Sequence, residues 1–160
     1  RAQNVSFVGP YLMSGKSILT KSSTLASVGD TGAIHSADVT LAALSNSTSE
    51  MFAKRALPEA KLVAVSDYVE AIRLLTEDKV DAVVADMPIC ALSIMRFPDA
   101  GFATLKQPFT YEPIGIAVPS NDPQVLNLID NFVDAMEATG ALERVRQNWL
   151  NNNAGIAARP

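Results

Sequence analysis

One cysteine and one histidine in 160 residues are too few to assemble a zinc site from this chain alone, and a single Cys90 allows no internal disulfide. No glycine-rich phosphate loop of the P-loop or dinucleotide type is present. Lysine and arginine do not cluster. The 13 basic residues stand against 17 acidic ones, for a net charge of −4, so the footprint of a nucleic-acid or anionic-membrane binder is missing. The most apolar stretch, Val80 to Phe97, is broken by Asp81, Asp86 and Pro88 and does not read as a membrane span. The opening Arg1-Ala2-Gln3-Asn4-Val5 lacks the apolar run of a signal peptide. What is present, 48% hydrophobic and 19% charged residues, is ordinary for a soluble globular chain with a sizeable core. Cys90, inside Pro88-Ile89-Cys90-Ala91-Leu92, reads as a small buried hydrophobe, and His35 as a surface-loop residue.

The apolar pattern predicts alternating strands and helices. Val5 to Val8 reads as a short strand stopped by Gly9-Pro10, and Ser17 to Thr20 as another. Lys21 to Ser36 is rich in Ser, Thr and Gly and reads as a loop. Val39 to Leu44, Leu62 to Val65, Val80 to Ala85 and Phe102 to Leu105 read as strands. Between them lie three helices. One runs from Ser47 to Ala56, with Ser47 and Glu50 spaced as a capping box. The second is capped by Ser66 or Asp67 and carries Val69, Ile72 and Leu75 on its apolar face. The third begins at Asp86 with Pro88 in its first turn. After Pro113 come a strand over Ile114 to Val118 and a helix from Asp122 to about Thr139, with Val125, Leu126, Ile129, Phe132, Val133 and Met136 at helical spacing. A last helix carries Leu142, Val145, Trp149 and Leu150, with Trp149 expected in the core. The order implies a doubly wound α/β unit with a parallel sheet covered on both faces.

Ligands in such sheets bind beyond the carboxyl ends of the strands. Two segments fall there. At Ser45 to Ser49 a helix start offers free N–H groups, about half a positive charge and several hydroxyls, which suits a carboxylate or phosphate; the same hydroxyls also serve as helix caps. Asp86 ends an apolar strand, where a charge is costly unless paired. It either caps the following helix or holds a ligand ammonium, and a carboxylate has acceptor sites enough for both. An anion site beside a carboxylate suits a zwitterion.

Five segments, in order, resemble the type II periplasmic amino-acid-binding proteins. Arg1-Ala2-Gln3-Asn4-Val5-Ser6-Phe7-Val8-Gly9-Pro10-Tyr11 is similar to that family's R-x-x-x-V-x-F-S-x-P-Y, and Ser45 to Glu50 to its S-G-T-T-x-E loop. Val80 to Asp86 resembles V-D-A-V-x-x-D, Pro113 to Val118 resembles P-Y-G-I-A-V, and Gly140-Ala141-Leu142 to Trp149 resembles the closing G-T-L-x-x-I-x-x-K-W. Two departures stand out: Asn46 replaces the usual glycine, tolerable at positive φ, and Ile114 replaces a common aromatic.

The resemblance implies two α/β lobes joined by crossing strands, with a free amino acid held between them and handed to an ABC permease. Residues 16–109 would form a complete periplasmic-binding-protein-like second lobe. Residues 1–15 and 110–160 would be pieces of an incomplete first lobe, with hinges near 11–15 and 110–114, and the apolar faces of its helices would favour self-association. In ligand binding, Arg1 would clamp the α-carboxylate, Ser47, Thr48 and Ser49 would hold it with N–H and hydroxyl groups, Asp86 would accept from the α-ammonium, and Tyr11 would cover the ligand. No cofactor, catalytic residue or metal is implied, and the location implied is periplasmic or extracellular. Cyclohexadienyl dehydratases are similar in fold, which keeps an enzyme open with Glu112 as its candidate acid. A sensor domain of a membrane kinase is the third reading.

Overall fold

The computed structural model describes residues 4–34 and 37–150. In chain order the elements are β1 (Val5–Ser14), β2 (Lys16–Thr20), α1 (Ser23–Ala26), β3 (Thr40–Leu44), α2 (Thr48–Ala56), β4 (Lys61–Val65), α3 (Tyr68–Thr76), β5 (Ala82–Asp86), α4 (Met87–Arg96), β6 (Ala103–Thr104), β7 (Glu112–Pro119), α5 (Pro123–Ala138) and α6 (Ala141–Leu150). Contacts divide the chain into two units, one of Gly15 to Tyr111 and one joining the residues up to Ser14 with those from Glu112 onward.

The Gly15 to Tyr111 unit is a five-stranded sheet in the order β4-β3-β5-β2-β6. β3 runs parallel to β4 and to β5, whereas β2 runs antiparallel to β5 and to β6. The sheet is therefore mixed, not wholly parallel as the strand pattern suggested. Alternate residues feed two cores, as the period of two requires. Leu41, Ala43, Ala82 and Val84 point to the side of α2 with Ile18 and Leu57, while Ala42, Val83 and Ala85 point to the side of α3 and α4 with Leu19, Leu75 and Cys90. β2 is buried along its whole length although three of its five residues are polar. Burial at that cost requires partners. The Ser17 hydroxyl pairs with that of Thr104 at 2.9 Å, and the Thr20 hydroxyl donates to the Asp81 carbonyl at 2.7 Å.

Several expectations change here. The apolar face of α3 is Tyr68, Ala71, Ile72 and Leu75, and Val69 is 80% exposed, because spacing of three and four from the buried pair leaves position 69 outside. The Lys21 to Ser36 segment is not featureless. Ser22 caps α1, a 3-10 turn covers Thr31–Ile34, and Ile34 is fully buried as the anchor of the segment.

The other unit pairs β1 antiparallel with β7 and packs α5 and α6 on that ribbon. β1 does not stop at Gly9-Pro10. The register passes from Val8↔Ile116 to Leu12↔Ile114, so three residues oppose Gly115 in a bulge, which accommodates a proline without an N–H. A Cβ at Gly115 would lie 2.6 Å from the Val8 carbonyl oxygen, so only glycine lets the ribbon close at that point. The Arg146 guanidinium donates to the Tyr11 carbonyl at 2.7 Å and pairs with Glu137, tying α6 to the bulge. Val8, Val118 and Val133 form the core, with Val125, Leu126, Ile129 and Leu142 against it. Phe132 and Trp149 do not join it: they are 59% and 49% exposed, because two strands present too narrow an apolar surface to cover the whole stripe of both helices.

Gly15 opens the larger unit at its tightest point. A Cβ there would meet the Thr110 carbonyl oxygen at 1.8 Å and Pro108 at 2.8 Å. Gly15→Ala is expected to lower stability by about 3 kcal/mol in urea unfolding, the upper range for overpacking. Gly29→Ala, which meets nothing within 4 Å, is the control and should barely move the midpoint.

Candidate functional site

Strand order locates the site. The chain leaves β3 toward β4 on one side and returns through α3 to β5 on the other, so the direction of winding reverses between the carboxyl ends of β3 and β5. The loop before α2 follows the first of these ends, and Asp86 closes the second. Such a reversal opens a crevice where ligands bind. Antiparallel β2 brings its first residue to the same edge, with Lys16 directly opposite Asp86. Residues opposed across a ladder project from the same face.

At the start of α2, Asn46 adopts φ 57°, the left-handed conformation asparagine tolerates in place of glycine. The Ser47 hydroxyl accepts from the Glu50 N–H at 3.1 Å and donates to the Leu44 carbonyl at 2.6 Å. The Glu50 carboxylate reaches back to the Asn46 N–H at 2.6 Å. The capping box is thus closed one residue earlier than the standard pairing, and the Ser47 proton is committed to the backbone. Thr48 and Ser49 occupy the first two helical positions, whose N–H groups have no intrahelical acceptors. Thr48 is exposed and Ser49 is buried.

The centre of the site is a side chain that sequence reading passed over. The Lys16 ammonium donates to Asp86 Oδ1 at 2.5 Å and to Thr48 Oγ1 at 2.8 Å. The Lys16 side chain is 2% exposed and that of Asp86 37%. Its backbone is clamped too: the Lys16 N–H donates to the Thr110 hydroxyl at 2.8 Å, and its carbonyl accepts from the Phe109 N–H at 2.7 Å. Asp86 makes no side-chain hydrogen bond to α4, so it is not the side-chain cap that sequence allowed; its carboxylate turns to the lysine instead. Because Thr48 Oγ1 accepts from Lys16, its own proton remains for an outside acceptor.

The Tyr68 phenol, half-buried at the start of α3, is pushed above its ordinary value by burial first and by the Asp86 charge second, with Lys16 opposing. Behind the site, burial pushes the Cys90 thiol up to about 12. Of the residues expected from sequence, the structure links Thr48 and Asp86 through Lys16 and puts Ser47 and Ser49 in the same helix start. Tyr11 belongs to the other unit, where its carbonyl holds Arg146. Arg1 and His35 lie outside the described residues. A groove of about 290 Å³ lined by Leu41, Glu50, Lys54, Leu57 and Leu62 lies along α2 and β4 and includes none of the three linked residues. The one signal for Lys16 in the sequence was a charge directly before the Ser17 to Thr20 strand; its place inside the sheet comes from the strand order alone.

The model of the bacterial extracellular solute-binding proteins, family 3, matches residues 1–152. The glutamine-binding protein of an ABC transporter from Bacillus subtilis is 27% identical over 96% of this chain and 54% of its own length. Cyclohexadienyl dehydratase from Pseudomonas aeruginosa is 25% identical over 94% of this chain and 56% of its own. A solved binding component of an ABC transporter from Wolinella succinogenes, in complex with lysine, superposes with a TM-score of 0.83 at 27% identity, covering 94% of this chain and 65% of that one. The chain spans about half the length of the curated relatives it matches. The fold is that of the periplasmic binding proteins.

The pair is asymmetric. Removing Asp86 takes a carboxylate away from an ammonium that is 2% exposed, whereas removing Lys16 leaves a carboxylate that water already reaches. Asp86→Ala is expected to cost about 2–3 kcal/mol and Lys16→Met clearly less, read by urea unfolding of both single variants and the double variant. For Cys90, the folded thiol titrates above its ordinary value of 9.0, so its contribution to stability is full below pH 9.0 and declines as pH rises toward about 12. At neutral pH a thiol reagent should label Cys90 only as fast as the chain opens, with the rate rising in parallel with added urea.

Proposed function

This chain belongs to the bacterial extracellular solute-binding proteins, family 3, and on that premise we propose that it binds a free amino acid, or a similar zwitterion, and presents it to an ABC importer from the periplasm or the cell exterior. One observation carries the reading: the start of α2 and Asp86 lie on one sheet edge at the reversal of winding. The N–H groups of Thr48 and Ser49, the free proton of the Thr48 hydroxyl and the helix dipole take the ligand carboxylate. The solvent-facing side of Asp86 takes the ammonium. Arg1 joins the carboxylate clamp and Tyr11 covers the ligand, both on the strength of the family motif alone. The relatives named for glutamine, glutamate and arginine, and the Wolinella succinogenes protein solved with lysine, support an amino acid as ligand.

The dehydratase relative favours a second reading, an enzyme on the same fold. Glu112, half-buried at the start of β7, is its candidate acid.

Thermal unfolding with millimolar glutamine, glutamate, arginine and lysine decides between them. A midpoint that rises with one of these, and rises less in Thr48→Val, is the expected result, the shift following ligand concentration by mass action. No rise with any amino acid, together with consumption of prephenate that is lost in Glu112→Gln, would replace the binder with the enzyme.

A further inference from the structure

Resting on the binding role proposed above, we infer that Lys16 is a specificity-determining residue: it fills the Asp86 carboxylate from within and so relaxes the site's demand for an α-ammonium, admitting carboxylates that lack one.

The physics starts from what a binding carboxylate does when its ligand group is missing. A site built around a charged group that only the ligand satisfies rejects an analogue without the partner, because the group is left desolvated and alone. Asp86 is not in that position. Its Oδ1 already accepts from an ammonium at 2.5 Å, and that ammonium is buried, held by Thr48 as well, and fixed through a backbone clamped by Phe109 and Thr110. An analogue that brings no ammonium leaves Asp86 paired. A ligand that does bring one sets it against the same carboxylate as Lys16, and two like charges sharing one counter-charge repel where water is scarce.

The charge balance of the edge points the same way. Asp86 and Lys16 cancel, and the start of α2 adds the positive end of a helix with the Thr48 and Ser49 N–H groups. What remains is a field that favours the ligand carboxylate and depends little on whether an ammonium accompanies it. Thr48 belongs to both halves: its oxygen accepts the hydrogen bond from Lys16, which leaves its hydroxyl proton to donate, so the lysine polarises the donor offered to the carboxylate.

The test measures selectivity, with weak binding included. Amide signals of Thr48, Ser49 and Asp86 are followed by NMR while the chain is titrated with amino acids and their desamino analogues, glutamate with glutarate and arginine with its desamino acid. In the unaltered chain, affinities within a pair are expected to agree within about tenfold. In Lys16→Gln, which keeps a donor for Thr48 but removes the charge, the ratio should move toward the amino acid by on the order of a hundredfold. An unaltered chain that already prefers the amino acid by a hundredfold, with a ratio that Lys16→Gln leaves alone, overturns the inference and leaves amino-acid binding standing. Silence of all three amides toward every compound overturns both. Should Lys16→Gln not fold, the ratio in the unaltered chain decides.

Discussion

The structure depends most on one buried cation. The Lys16 side chain is 2% exposed, so its ammonium has to find acceptors inside the fold, and it finds them at Asp86 and Thr48. Asp86 ends β5, Thr48 opens the helix that follows β3, and the lysine begins the antiparallel strand beside β5. A one-residue slip between β2 and β5 would turn the lysine into the opposite apolar layer and leave Asp86 without its partner, so the pair specifies the register. Gly15 serves the same end, since only a residue without Cβ lets Thr110 come close enough to hold the Lys16 backbone.

What makes the edge a candidate site is that its polar groups are spent unequally. The Ser47 hydroxyl proton is committed to the backbone of its own turn, which fixes the start of α2 and leaves no donor over. Thr48 is half-spent and Asp86 is paired on one oxygen with a third of its side chain still exposed. The groups closest to saturation are structural, and those with unused capacity face outward. Family membership and the similarity to proteins named for amino acids fit an edge of this kind.

The smaller unit obeys a different constraint. Its ribbon is only two strands wide and is bent by the bulge opposite Gly115, so it offers a short apolar strip. Val133, Ile129 and Leu142 use it up, and Phe132 and Trp149 are left at the rim. Periodicity ranked those two with the core because it measures which side of a helix a residue lies on, not how much surface waits opposite.

By itself the sequence determined most of the elements and their type. The continuous apolar runs of β3 and β5, the Ser47 cap, a second cap at Ser66 or Asp67 and the turn at Asn46 are local properties, each set by a few neighbours, and the structure keeps them, with Asp67 as the second cap. It also marked Thr48 and Asp86 as residues at strand ends. Only the tertiary structure decided the direction of β2, the passage of β1 through its bulge, and the exposure of Val69, Phe132 and Trp149. It alone revealed Lys16, whose partners lie 32 and 70 residues away in the chain. A local pattern carries no information about such pairings, because the free energy that fixes them, burial of a charge against a distant counter-charge, exists only after the sheet has closed.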